Sequence, residues 1–389
     1  MKKQLLFVIN HLTVGGIQKT LISALKVLDY DKYDVTVYLR KNRTDLLPLI
    51  DKRANIIINK DPNKYYRKPK ALILQALVEF NKLIGSKKKA EELQKKLVAL
   101  INSYCMNYER KTYFKDKKYD IAIAYANGYP AYFVADYIEA DEKIIFFHTS
   151  TNDLPEIHIK FITKFDKAVA VQDGLVSLIS EWYPCLSDKI RVVENFVDAD
   201  ALRQQSLETK IETPENKTVL CSCGRFAPVK GFDMAVEAAK QLKSNGVDFI
   251  WYFVGDGPER NNIENKISEN GLENNIIITG MKQNPYPYMA ACDIYVQPSY
   301  EEAMPVTIIE SIRLNKPIVS TATAGGKKLV KHHKNGLICE INPQSLVNNI
   351  HELINDKELF YNTKHTLESA DYSHEAKKYK EQWKALLEE

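Results

Sequence analysis

The sequence predicts an α/β chain of two doubly wound domains in tandem, and three observations carry that prediction. A chain of 389 residues is longer than one hydrophobic core usually grows, so two domains are expected. Short runs rich in Val, Ile, Phe and Tyr alternate with helical patterns, and most are continuous rather than alternating, which is how strands buried on both faces of a parallel sheet read. A polar, irregular stretch, Thr209–Lys217 (TKIETPENK), separates two such series.

The first series places strands at Leu5–Ile9, Val35–Leu39, Ile56–Ile58, Ile121–Tyr125, Ile144–Phe147, Ala168–Val171 and Arg191–Val193. The second places them at Val219–Ser222, Phe249–Val254, Ile276–Thr279, Ile294–Gln297, Ile318–Ser320 and Leu337–Cys339. The expected boundaries are 1–200 for the first domain, with a basic helical insertion over about 60–118, 201–373 for the second, and 374–389 for a last amphipathic helix. In that helix Trp383 and Leu386 are the expected anchors. Tandem sheets of this kind place a ligand at the carboxyl ends of their strands, in the cleft between the domains.

Composition narrows the class. With 45% hydrophobic and 27% charged residues the chain reads as an ordinary globular protein, and no apolar run approaches the ~18 residues that span a bilayer. The apolar run at the start is broken by Asn10 and His11 and reads as a first strand rather than a signal peptide. The six cysteines are scattered and read as reduced thiols of a cytoplasmic protein. Cys221 and Cys223 lack the second pair or nearby histidines that a metal site needs, and His332-His333 reads as surface. The net charge of +4 hides a local excess: residues 60–118 hold 16 Lys and Arg against 6 Asp and Glu, +10, which leaves −6 for the rest.

Strand Ile294–Gln297 leads into SYEEAMPVTIIESIRLNKPIVS, residues 299–320. Pro305 suits the first position of a helix running to about Leu314. Asn315 can take a left-handed cap, and Pro317 bars continuation. A helix N-terminus at a strand's carboxyl end is an anion site, here around Met304–Thr307. Glu302 and Glu310 could merely complement the helix dipole, at typically 0.3–1 kcal/mol each, or grip hydroxyls at the two ends of a bound nucleotide sugar. The spacing alone leaves both readings open. Gly224–Asp233 (GRFAPVKGFD) places Arg225 and Lys230 on one loop after the first strand of the second domain, as two cations able to neutralise a diphosphate.

These residues resemble glycosyltransferase family 4. The resemblance rests on Glu302-x7-Glu310 with the following SIRLNKPIV, on Gly224-Arg225-x4-Lys230-Gly231, and on the supporting VGDGPE at 254–259, Thr279-Gly280, YMAACD at 288–293, ENFVD at 194–198 and Gly15-Gly16. It implies the GT-B fold, with two Rossmann-like domains facing a central cleft, and retention of anomeric configuration. By that resemblance Arg225 and Lys230 hold the donor diphosphate, Glu302 the donor sugar and Glu310 the ribose. Backbone amides from Met304 through Val306 to Thr307 hold phosphate, Gly16 admits the donor, the loop from Gly280 faces the base, and His148 reaches the reacting sugar. His148 could equally be a hydrogen-bonded loop residue, and His11 is a weaker candidate. Three positions depart from the family pattern: Ala303 replaces a glycine, Gln18 a glutamate and Gln172 a serine, and the last two bear on acceptor contacts.

The implied activity is transfer of a hexose from a nucleotide sugar, expected to be a UDP-sugar, to a lipid-linked or surface glycan of a bacterial polysaccharide pathway. The donor is substrate, no cofactor is implied, and no metal is expected. Two further readings are a nucleotide-sugar epimerase and an inactive partner subunit of a transferase. The basic segment, with KYYRKPK at 64–70, an apolar helix over Ala71–Ile84, Lys87-Lys88-Lys89 and a second helix through about Tyr108, fits either an anionic membrane surface or a solvated insertion packed on the first domain. A cytoplasmic protein at the inner face of the membrane is expected. No nucleic-acid module accompanies the charge, and nucleic acid is not an expected partner.

Overall fold

The computed structural model describes residues 1–60, 69–148 and 159–388. Lys64–Lys68 of the basic segment lie outside these described residues. The first sheet contains β1 (Lys3–Ile9), β2 (Tyr33–Leu39), β3 (Asn55–Ile58), β4 (Lys118–Ala124), β5 (Glu139–Phe147), β6 (Lys167–Ala170) and β7 (Ile190–Val192). The second contains β8 (Thr218–Cys223), β9 (Phe249–Val254), β10 (Ile276–Gly280), β11 (Ile294–Gln297), β12 (Ile318–Thr321) and β13 (Gly336–Cys339). All pairings are parallel, in the orders β3-β2-β1-β4-β5-β6-β7 and β10-β9-β8-β11-β12-β13.

Helices of the first half are α1 (Gly16–Val27), α2 (Pro69–Leu83), α3 (Lys87–Tyr113), α4 (Tyr129–Tyr137), α5 (Ile159–Ile162), α6 (Gly174–Trp182) and α7 (Ala199–Ser206). Those that follow are α8 (Phe232–Ser244), α9 (Arg260–Glu269), α10 (Tyr286–Ala291), α11 (Val306–Arg313), α12 (Ala324–Leu329), α13 (Pro343–Asn355), α14 (Lys357–Glu368) and α15 (Ser373–Glu388). Among the described residues, no helix is long and apolar enough to cross a membrane.

Both sheets reverse their order of strand addition between the first and fourth strands, at β1/β4 and at β8/β11. Loops leaving those strands at their carboxyl ends diverge, which makes the reversal the place where an open α/β sheet binds its ligand. The continuous apolar runs follow from burial on both faces. Leu220, Trp251 and Phe253 belong to one core of the second half, whereas Val219, Cys221, Tyr252 and Val254 belong to the other, because alternate strand residues point to opposite faces.

Helix α15 bridges the halves. Near its start, Glu375 accepts a hydrogen bond from Arg313 at the end of α11, and the Arg313 guanidinium lies 3.5 Å from the centre of the Tyr372 ring. Farther along, Tyr379, Trp383, Leu386 and Leu387 join the core of the first half. The Trp383 ring stacks on Phe146, with centroids 5.4 Å apart, and lies 5.9 Å from Phe7.

Several sequence expectations shift. Pro305 is the N-cap of α11 rather than its first helical residue, and the helix ends at Arg313; Asn315 takes the left-handed conformation at φ 57°. Helix α3 continues to Tyr113, beyond the expected end near Tyr108. Only one stripe of α2 is packed down: Ala71, Val78 and Asn81 are buried and Leu74 lies against the first core, whereas Leu72, Ile73, Phe80 and Leu83, with Ile84 at the α2–α3 turn, are at least half exposed. Glu109, fully buried on α3, anchors the hairpin by accepting from Asn59 Nδ2 at 2.8 Å and from the Tyr129 hydroxyl at 2.6 Å.

Trp383→Ala is expected to remove about 3–5 kcal/mol of stability by opening a cavity in the first core, seen as a lowered urea midpoint. Exposed Lys384→Ala on the same helix should change it by less than about 0.5 kcal/mol.

Candidate functional site

The site is built where β8 and β11 end. The loop after β8 closes at Gly231, whose φ of +66° suits glycine and where an added Cβ would lie 2.0 Å from the Pro298 carbonyl oxygen. That contact presses the loop carrying Arg225 and Lys230 onto the loop carrying Glu302. From the other side, a Cβ on Gly325 would lie 2.4 Å from Pro305 Cδ, so α12 is equally close. Lys230 Nζ therefore reaches Glu302 Oε1 at 2.6 Å. The same oxygen accepts from Ser299 Oγ at 2.9 Å and from Gln297 Nε2 at 3.2 Å. Arg225 is exposed on the Lys230 loop.

Helix α11 opens with neither a side-chain cap nor an acidic residue in its first turn. The amides of Val306 and Thr307 have no intrahelical acceptor, and the positive end of the dipole is uncompensated there. Thr307 Oγ1 donates to Gln297 Oε1 at 2.8 Å, which fixes the first turn on β11. Met304 packs against cores of both halves, and its carbonyl accepts from Asn195 Nδ2 at 3.4 Å.

A turn farther along α11, Glu310 is 1% exposed. Its Oε1 accepts from the Tyr286 hydroxyl at 2.9 Å and from Lys19 Nζ at 2.5 Å, and Lys19 comes from α1 of the first half. Its Oε2 is buried and has no partner among the described residues. Burial alone would depress the Lys19 pKa, but the charge and hydrogen bond of Glu310, with Tyr286, hold it well above the ordinary lysine value. Sequence reasoning missed both Lys19 and Tyr286. The available signal was a lysine near the N-terminus of a helix, where the dipole disfavours a cation unless a carboxylate meets it.

The remaining expected residues are placed as follows. Gly16 opens α1 against α11, and a Cβ there would lie 3.5 Å from Val306 Cγ2, an ordinary contact; position rather than lack of room brings Gly16 to the site. His148 directly follows β5, with its ring 5.0 Å from Tyr125 and 5.9 Å from Phe146. Its Nε2 is buried without a partner among the described residues, and burial pushes its pKa down to about 4, so the ring is neutral at pH 7. His11 Nδ1 lies 2.8 Å from Thr13 Oγ1 and 3.4 Å from Gln18 Nε2. Gly280 is set apart: it ends edge strand β10, two strands from β8, or roughly 10 Å at ordinary strand spacing. Among the described residues no group of His, Cys, Asp or Glu is arranged to hold a metal ion.

Two parallel Rossmann-like halves joined at the carboxyl ends of their strands define the GT-B class of α/β architecture, and the structural neighbours of this chain are glycosyltransferases of that fold. Residues 204–372 match the model of the family glycosyl transferases group 1. An uncharacterised glycosyltransferase of Haemophilus influenzae is 29% identical over 63% of this chain and 69% of its own length. The lipopolysaccharide core biosynthesis glycosyltransferase LpsE of Rhizobium meliloti is 30% identical over 44% of this chain, and the match spans about half of that relative, 49%. Anabaena HepE, solved in complex with UDP-glucose, superposes with a TM-score of 0.71 over 99% of both chains at 17% identity.

The half-buried His148 ring, whose Nε2 is fully enclosed, gives a pH signature. A histidine whose folded pKa is lowered leaves the unfolded state binding more protons between about pH 6.5 and 4, so its contribution to stability is present above that window and is lost as pH falls through it. The stability advantage of the wild type over His148→Gln, measured as urea midpoints at pH 7 and pH 5, is expected to shrink at the lower pH.

Proposed function

We propose that the protein is a retaining glycosyltransferase that moves a hexose from a UDP-sugar to a lipid-linked glycan in bacterial surface-polysaccharide synthesis. The observation that carries this reading is the convergence around the entry and first turns of α11 of two cations, free amides and two carboxylates. Lys230 meets Glu302 on one side of the turn and Lys19 meets Glu310 on the other. The cleft between residues 1–200 and 201–373 would hold acceptor and donor respectively. The naming of the Rhizobium relative for lipopolysaccharide core synthesis and the UDP-glucose bound to the Anabaena neighbour support the choice of substrates.

In this scheme the bond between the anomeric carbon and the diphosphate oxygen breaks, and the nucleoside diphosphate leaves with the bonding pair. The acceptor hydroxyl oxygen bonds to the same face of that carbon, and its proton passes to the departing diphosphate oxygen. Arg225, Lys230 and the α11 amides stabilise the charge gathering on the diphosphate. They meet that need without a metal. Glu302 trades its present partner Lys230 for a sugar hydroxyl as Lys230 turns to the phosphate. Neutral His148, at the carboxyl end of β5, reaches the sugar from the first half.

A thermal-shift panel of UDP, GDP, ADP, CMP and dTDP, each with magnesium and with EDTA, tests the reading. UDP at a hundredfold its dissociation constant should add about 2.7 kcal/mol of stability, equally in both buffers, and Arg225→Ala should weaken the effect. Glu302→Gln should cut sugar transfer roughly tenfold or more with the fold intact. No shift with any nucleotide would favour an inactive partner subunit, and donor turnover without acceptor would favour an epimerase.

The α2–α3 hairpin supports placement on the inner face of the membrane. Exposed Leu83 and Ile84 stand beside Lys82 and Lys87–Lys89, which suits a surface where apolar side chains insert and each nearby cation contributes about 1 kcal/mol. Reversing Lys87, Lys88 and Lys89 to glutamate is expected to lower co-sedimentation with phosphatidylserine vesicles; unchanged sedimentation would leave the hairpin in solvent.

A further inference from the structure

We infer that Lys19, contributed by the first half, is a positioning residue that sets the preference of the second half's nucleotide site for ribose. The inference rests on the proposal that this site binds a nucleoside diphosphate. Three features carry it.

The first is the division of labour between the oxygens of Glu310. Oε1 is occupied by Lys19 Nζ at 2.5 Å and the Tyr286 hydroxyl at 2.9 Å. Oε2 is buried with no partner among the described residues. A buried carboxylate oxygen without a donor is costly and calls for one, and a ribose hydroxyl supplies an O–H. Two donors on one oxygen fix the side-chain torsion and leave the other oxygen as a directed acceptor.

The second is where Lys19 comes from. It sits one turn into α1, just beyond Gly16, which lies against Val306 at the start of α11. Its reach to Glu310 depends on that contact between the halves. Separation of the halves would free the carboxylate to turn, so the hydroxyl acceptor is complete only when α1 and α11 are together.

The third is enclosure. The Lys19 side chain is 16% exposed and that of Glu310 1%, and Lys19 Nζ lies 4.7 Å from the centre of the Tyr286 ring. In such surroundings the pair is scarcely screened, and a charge-assisted bond from a sugar hydroxyl to Oε2 counts for more than it would in water.

The experiment is calorimetric titration of UDP and 2′,3′-dideoxy-UDP into the full-length wild type, Lys19→Met and Lys19→Arg. The wild type is expected to prefer UDP by roughly 10- to 100-fold, the range of a hydrogen bond to a charged group. Lys19→Met should lose most of that preference while binding the dideoxy nucleotide within about twofold of the wild type, and Lys19→Arg should restore it. Lys19→Met/Glu310→Gln, which leaves no unpaired buried charge, should also lack the preference, so the test survives poor folding of the single variant. A retained preference in Lys19→Met, or equal loss of affinity for both nucleotides, would overturn the role of Lys19 alone. A wild type that binds neither nucleotide would remove the nucleotide site and this inference with it.

Discussion

Helix α11 is the constraint on which the rest of the structure depends. Its N-terminus has no side-chain cap, so it forgoes the stabilisation such a cap typically gives, about 1 kcal/mol. It is held instead by everything around it. Thr307 ties its first turn to Gln297 of β11, Glu310 ties its middle to α1 and α10, and Arg313 ties its end to α15. The loops on either side of its entrance approach so closely that Gly231 and Gly325 leave no room for a Cβ. Only eight residues long, the helix could not hold its geometry by propensity alone.

The Lys19–Glu310 pair follows from that arrangement. Two charges removed from water recover their desolvation cost only with good geometry, and an apolar pair of the same volume would often be as stable. What the charged pair adds is direction. It aligns one oxygen of Glu310, and it does so from the opposite half of the molecule. Lys230 and Glu302 show the same economy at lower burial, 28% and 10% exposed, where exchange of partners is easier. The more exposed pair is suited to change and the more buried one to hold position.

Much of the fold was legible because burial on both faces of a parallel sheet leaves a local trace. Every one of the thirteen expected strands is present among the described residues, and the errors are at the ends. β5 starts at Glu139 rather than Ile144, because its first residues pair through the backbone with the start of β4, inside the sheet, while alternating in burial. The entry to α11 was legible because proline restricts it locally. Lys19 and Glu310 were not legible as a pair, since 291 positions separate them and only tertiary packing brings them together. Their chemistry was half visible: Glu310 stood out through its spacing from Glu302, whereas nothing in the local pattern around Lys19 singled it out. The exposed side of α2 was illegible for a related reason. Its Leu and Ile pattern is that of a packing helix, and nothing local says that α3 would cover so little of it.

The uneven charge of the chain takes its meaning from where the one deeply buried acid of the hairpin lies. Most charged groups of α2 and α3 are exposed, but Glu109 is turned inward onto Asn59 and Tyr129. Burial raises its pKa, and the hydrogen bonds from Tyr129 and Asn59, together with nearby Arg40, work against that rise. Arg40, 3.5 Å from the centre of the Tyr129 ring, donates to Asn102 on α3, so the anchor joins the ends of β2 and β3 to the long helix. A hairpin fixed at its base by an internal acid and bearing lysines and apolar side chains at its far turn is polarised along its length. Its base belongs to the core of the first half, and its tip carries its exposed lysines and apolar side chains away from that core.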